Sequence, residues 1–155
     1  METGDQHALR HGVYVAVCDG RKALLFENTG DAASPKFETR EVRKHPDPPT
    51  RELGTDKPGR GFASVGNRRS AMENADWQDE AERAFVKAFA EQLDRRALEG
   101  KLGDLVIAAP PRALGTLRDH LGRAGEHLRR AFPKDLVDQP VPEIERHIVA
   151  LMRAD

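Results

Sequence analysis

The chain has 155 residues, enough for one core that removes roughly 68–70% of the unfolded surface from water and too few for two ordinary domains. With 25 Lys and Arg against 26 Asp and Glu the net charge is −1, which excludes a generally basic nucleic-acid binder, and a hydrophobic fraction of 38% gathered into blocks excludes a disordered chain. The single cysteine, Cys18, excludes an internal disulfide and a thiolate metal centre and suits a reducing compartment.

Residues 1–11 are polar and read as a disordered tail, and residues 12–155 as one α/β domain. The first apolar run, Val13 to Cys18, is far shorter than the ~20 residues that span a bilayer, so neither a signal peptide nor a membrane anchor is expected and the chain reads as cytoplasmic. Val13 to Cys18 and Lys22 to Glu27 form a predicted hairpin across Asp19-Gly20-Arg21, because Asp-Gly supplies the positive φ angles that tight turns demand. A third strand, Lys36 to Lys44, alternates Phe37, Thr39, Glu41 and Arg43 with Glu38, Arg40, Val42 and Lys44, and its polarity suits a sheet edge.

Between His45 and Ala75 no periodicity is visible, and Pro46, Pro48, Pro49 and Pro58 together with Gly54, Gly59, Gly61 and Gly66 predict a long loop. Structureless loops longer than about 12–15 residues tend to be functional or disordered. A helix follows from Asp76, its stripe made of Trp77, Ala81, Ala84, Phe85, Ala88, Phe89 and Leu93, and it ends before Gly100. Asp104 to Ala109 is a continuous apolar run, as in a strand covered on both faces, and Pro110-Pro111 opens a helix carrying Leu114, Leu117 and Leu121. Leu128 to Phe132 is a short strand, and Pro140-Val141-Pro142 leads into a last helix with Ile144, His147, Ile148 and Leu151 on one stripe. The order βββαβαβα implies a mixed β-sheet with helices packed on it.

Several catalytic patterns fail on inspection. Gly54 to Gly61 approaches the phosphate-binding loop, but Arg60 stands where its lysine belongs and Gly61 where its hydroxyl belongs. Ser64 stands where a dinucleotide fingerprint needs its third glycine, and it falls one residue out of place for a nucleophile elbow. The six histidines are scattered, so no metal site and no cofactor are expected. Asp19 and Asp104, at the ends of neighbouring strands, would form a metal pair only if they converged; this is the hydrolase or nuclease alternative.

What remains is a local excess of positive charge. Arg40 to Arg69 holds eight Lys and Arg against four Asp and Glu, whereas Ala71 to Asp104 holds five against nine. Arg51, Lys57, Gly59, Arg60, Gly61, Arg68 and Arg69 form the candidate binding loop, in which guanidinium groups hold phosphate oxygens and glycines admit a backbone.

Four segments, Tyr14 to Asn28, Arg51 to Arg60, Leu105 to Gly115 and Lys134 to Leu136, together resemble the host attachment protein family. That family is related to the bacterial archaeo-eukaryotic release-factor-like proteins and to the middle domain of peptide-chain release factors. The resemblance implies a ribonuclease-H-like sheet and a loop equivalent to the one that carries Gly-Gly-Gln in release factors. Here that stretch reads Gly59-Arg60-Gly61-Phe62-Ala63, without the second glycine or the glutamine, so the resemblance implies binding more than catalysis. The partners it implies are the ribosome or tRNA, with a protein partner in host attachment as the alternative.

Overall fold

The structure is a computed structural model that describes residues 9–45 and 60–154, with side chains described from Gln78 onward in the second stretch. Its elements are β1 (Tyr14–Cys18), β2 (Lys22–Asn28), β3 (Phe37–Lys44), α1 (Arg60–Leu98), β4 (Leu105–Ala108), α2 (Pro111–His120), a short 3-10 helix (Arg123–His127), β5 (Leu128–Phe132) and α3 (Val141–Arg153). One five-stranded sheet runs in the order β3-β2-β1-β4-β5. Strand β2 is antiparallel to its neighbours β1 and β3, whereas β4 pairs in parallel with both β1 and β5. This is the mixed α/β architecture of a ribonuclease-H-like sheet, with β3 at the edge that its polar sequence suits.

Helices cover both faces because both faces of the central strands are apolar. Ala16, Leu25, Leu105 and Ile107 pack against Phe85, Phe89 and Leu93 of α1 and Leu114 and Leu117 of α2. Val15, Phe26, Val106 and Ala108 pack against Ile144, Ile148 and Met152 of α3 on the other side. All four residues of β4 are buried, as expected for a strand between two helical layers.

The bulge in β3 corrects a strict alternation. Register shifts so that Leu25 faces Glu41 and Phe26 faces Thr39, leaving Arg40 as the extra residue. Phe37 therefore stacks on Phe26 on the α3 side, while Glu41 turns to α1 and accepts hydrogen bonds from Arg96 at 2.6 Å and Gln92 at 2.9 Å. One inserted residue reverses the faces of everything beyond it.

Other expectations also shift. Helix α1 begins at Arg60, sixteen residues before the expected Asp76, so Arg60, Gly61, Arg68 and Arg69 belong to a helix and not to a loop. Pro58 is the last proline before Pro110, and glycines such as Gly61 and Gly66 each cost about 1 kcal/mol relative to Ala without forbidding a helix. The apolar stripe hid that start because it begins only further along. In that stripe Val86 and Ala90 are buried and Ala84 is exposed. The side chain of Trp77 lies outside the described residues. His147 is exposed, and Met152 takes the third buried position on α3 that Leu151 was expected to hold.

The polar start is partly inside the domain: Leu9 is only 4% exposed, and residues 1–8 lie outside those described. Asn28 holds this segment in place. Its Nδ2 donates to the carbonyls of Leu9 and Arg10 at 2.7 and 3.2 Å, and its Oδ1 accepts from the backbone N–H groups of Gly30 and Lys36 at 3.0 and 2.9 Å. Gly100, at φ +74°, ends α1 in the left-handed conformation a helix stop favours.

Candidate functional site

The parallel strands β1 and β4 end side by side. Their register, Val17 opposite Ala108, brings the Asp19-Gly20-Arg21 turn next to Pro110 and the start of α2. The turn closes without positive φ at Gly20; instead Asp19 Oδ1 accepts from the backbone N–H groups of Arg21 and Lys22 at 2.8 and 2.9 Å. The glycine is required by packing. A Cβ at position 20 would lie 2.7 Å from Cβ of Glu82, so the absent side chain is what lets α1 cross the turn.

These three elements enclose a cleft of about 220 Å³, lined among others by Arg21, Asp79, Glu82, Arg83, Arg112 and Thr116. Arg21 pairs with Glu82 at 3.5 Å and Arg112 with Asp79 at 3.1 Å, both pairs well exposed to solvent. Arg83 has no ion pair or hydrogen bond with another described residue. No side chain caps α2, whose N-cap position is Pro110. At the far end of α1 the anchoring is tight: Asp94 accepts from the backbone N–H of Gly122 at 2.9 Å and of Ala124 at 2.8 Å, tying the 3-10 helix to α1.

Below the turn, Cys18 is fully buried. Burial, then the charges of Asp19 and Asp135, push its thiol from 9.0 up to about 12. Asp135 is itself raised, first by desolvation and then by Asp19 and Asp138, so three carboxylates share this end of the sheet. At pH 8 Cys18 is therefore expected not to react with a disulfide-exchange reagent in the native protein and to titrate fully in denaturant; a fast native reaction would show the turn opening. The folded state holds this proton more tightly, so the thiol's contribution to stability is intact below pH 9 and is lost as pH rises towards 12.

Asp19 and Asp104 do not converge. Tyr14 pairs with Leu105, and the backbone N–H of Tyr14 donates to the carbonyl of Asp104 at 2.7 Å, so Asp104 sits beside Val13 at the start of the strands. Asp19 lies six residues further along, about 20 Å away at roughly 3.3 Å per residue. Parallel pairing placed the two at opposite ends, and Asp104 is engaged by Arg129 at 3.1 Å and Arg10 at 3.9 Å. The two-carboxylate metal site is overturned by this geometry.

Of the candidate binding residues, Arg51, Lys57 and Gly59 lie outside the described residues, and Arg60, Gly61, Arg68 and Arg69 are placed by backbone alone in the first turns of α1. That helix has no acidic residue in its first turn. Residues 12–148 match the model of bacterial archaeo-eukaryotic release factor family 12. The chain belongs to that family. The match runs from the residue before Val13 to Ile148 on α3, and so includes the whole sheet, α1 and the cleft. No curated protein matches the sequence. Among the described residues, no helix is long and apolar enough to cross a membrane.

The cleft was not legible in sequence: Arg21 reads there as part of a hairpin turn, and Asp79, Glu82, Arg83 and Arg112 look like ordinary solvated helix faces until the fold brings them over the turn.

Proposed function

We propose that this protein is a release-factor-like accessory factor that binds the ribosome or its RNA through Arg51, Lys57, Gly59, Arg60, Gly61, Arg68 and Arg69, without the chemistry of a Gly-Gly-Gln motif. The observation that carries this reading is membership of the release-factor family across residues 12–148. Two further facts support it. No two glycines are adjacent anywhere in the chain, so the tripeptide that positions a hydrolytic water in release factors has no counterpart. The basic segment runs into the first turns of α1, where the partial positive charge of a helix start adds to Arg60 and the first turn itself holds no acidic residue.

On a body of net charge −1, such contacts act locally: guanidinium forks hold phosphate oxygens, and affinity falls with added salt because releasing the phosphates' counterions into it gains less entropy. Co-sedimentation of the full chain with ribosomes across a salt series tests this. Arg60→Ala is expected to weaken binding several-fold and to reduce the slope of log affinity against log salt by about 0.7–0.9, one phosphate contact. Unchanged co-sedimentation would remove the segment from the reading. Exposure to protease on intact cells, with indifference to ribosomes, would favour a host-attachment interaction protein instead.

A further inference from the structure

We propose that the cleft between the ends of β1 and β4 binds a phosphate monoester, as carried by a nucleotide or by the phosphorylated end of an RNA, with Arg21, Arg83 and Arg112 as its ligands.

Topology selects the place. The chain leaves β1 through the hairpin towards β2 on one side, and leaves β4 through α2 towards β5 on the other. In α/β sheets, ligands gather in the crevice outside the carboxyl ends of strands whose connections diverge in this way. The Asp19-Gly20-Arg21 turn and the start of α2 supply the two walls, and α1 supplies the roof.

Size and chemistry select the ligand. At about 220 Å³ the cleft falls below the roughly 300–1,000 Å³ of pockets for drug-sized molecules, so it admits one polar group and little more. Arg21 and Arg112 are 63% and 75% exposed, and ion pairs so placed contribute about 0–1 kcal/mol, so exchanging a carboxylate for a better acceptor costs little. Arg83 brings a guanidinium with no described partner to exchange. A phosphate monoester offers three oxygens and up to two charges to these planar forks, against one charge from Asp79 or Glu82. Arg112 and Ala113, whose backbone N–H groups open α2 with no side-chain cap, are among the residues that line the same cleft. The Oδ1 atom of Asp19 is occupied by two backbone N–H groups, and the displaced Asp79 and Glu82 retain access to water.

The test uses the full chain and no ribosome, so its outcome is independent of the function proposed above. Amide chemical shifts are followed during titration with inorganic phosphate, adenosine monophosphate, a short 5′-phosphorylated RNA and the same RNA with a 5′-hydroxyl. Saturable shifts at Gly20, Arg21, Arg112 and Ala113 are expected with phosphorylated ligands, and binding at least tenfold weaker with the 5′-hydroxyl RNA. Saturation by the mononucleotide alone identifies a free nucleotide as the source, and saturation by the phosphorylated RNA alone identifies an RNA end; either supports the site. The double variant Arg83→Ala/Arg112→Ala is expected to bind at least tenfold more weakly with an unchanged melting temperature, and Arg112→Gln, which keeps a polar side chain but removes the charge, to show the same direction. The proposal is overturned if the 5′-hydroxyl RNA binds equally, if the double variant binds undiminished, or if magnesium chloride moves these amides while phosphate does not.

Discussion

Replacing Asn28 by Ala is expected to cost about 2–4 kcal/mol of folding stability, measured by urea or guanidinium unfolding, which is large against a typical total of 5–15 kcal/mol. Asn28 is fully buried, and its amide makes four hydrogen bonds to backbone groups of two separate segments. Ala would leave two carbonyls and two N–H groups without this partner, and unmade bonds of buried groups cost more than made ones return. Asn28→Asp separates the two halves of the amide. It keeps an acceptor for Gly30 and Lys36 but sets a carboxylate oxygen against the carbonyls of Leu9 and Arg10. Burial and those carbonyls would raise its pKa, so the deficit relative to the parent should shrink as pH falls from 7 towards 4. A loss below about 0.5 kcal/mol for both variants, within the range of ordinary surface changes, would mean that the amide does not hold the N-terminal segment.

Replacing Phe89 by Ala is expected to cost about 3–5 kcal/mol and to lower the melting temperature by on the order of 10 °C. Phe89 is fully buried at the centre of the α1 stripe, among the largest buried side chains of the protein. Its removal opens a cavity where α1 meets the sheet, under the helix that roofs the cleft and begins in the basic segment. Phe89→Leu fills most of that space and should cost only about 1–1.5 kcal/mol. A melt of Phe89→Ala indistinguishable from the parent would show that α1 is not docked by this face.

Much of the fold was legible because it rests on local chemistry. The Val13 to Cys18 and Lys22 to Glu27 runs became β1 and β2, Leu128 to Phe132 became β5 without change, and Gly100 stopped α1 where an αL residue can. Pattern reading failed where a residue's role is set by something distant. The bulge at Arg40 reversed the faces of β3, and period-two counting cannot see an inserted residue. His147 sits at helical spacing with Ile144, yet it is solvent-facing, because the sheet covers only the narrower stripe of Ile144, Ile148 and Met152.

By itself, then, the sequence determined the composition of this protein's chemistry: one unpaired cysteine, no tripeptide of the release-factor kind, a basic Gly-rich segment and strands apolar enough to be covered twice. Only the tertiary structure decided which of those residues meet. Parallel pairing of β1 with β4 separated Asp19 from Asp104 by the length of the strands and brought Arg21 to Arg112, ninety-one positions along the chain. Strand register is a long-range property, set by which buried faces match, and no window of sequence contains it.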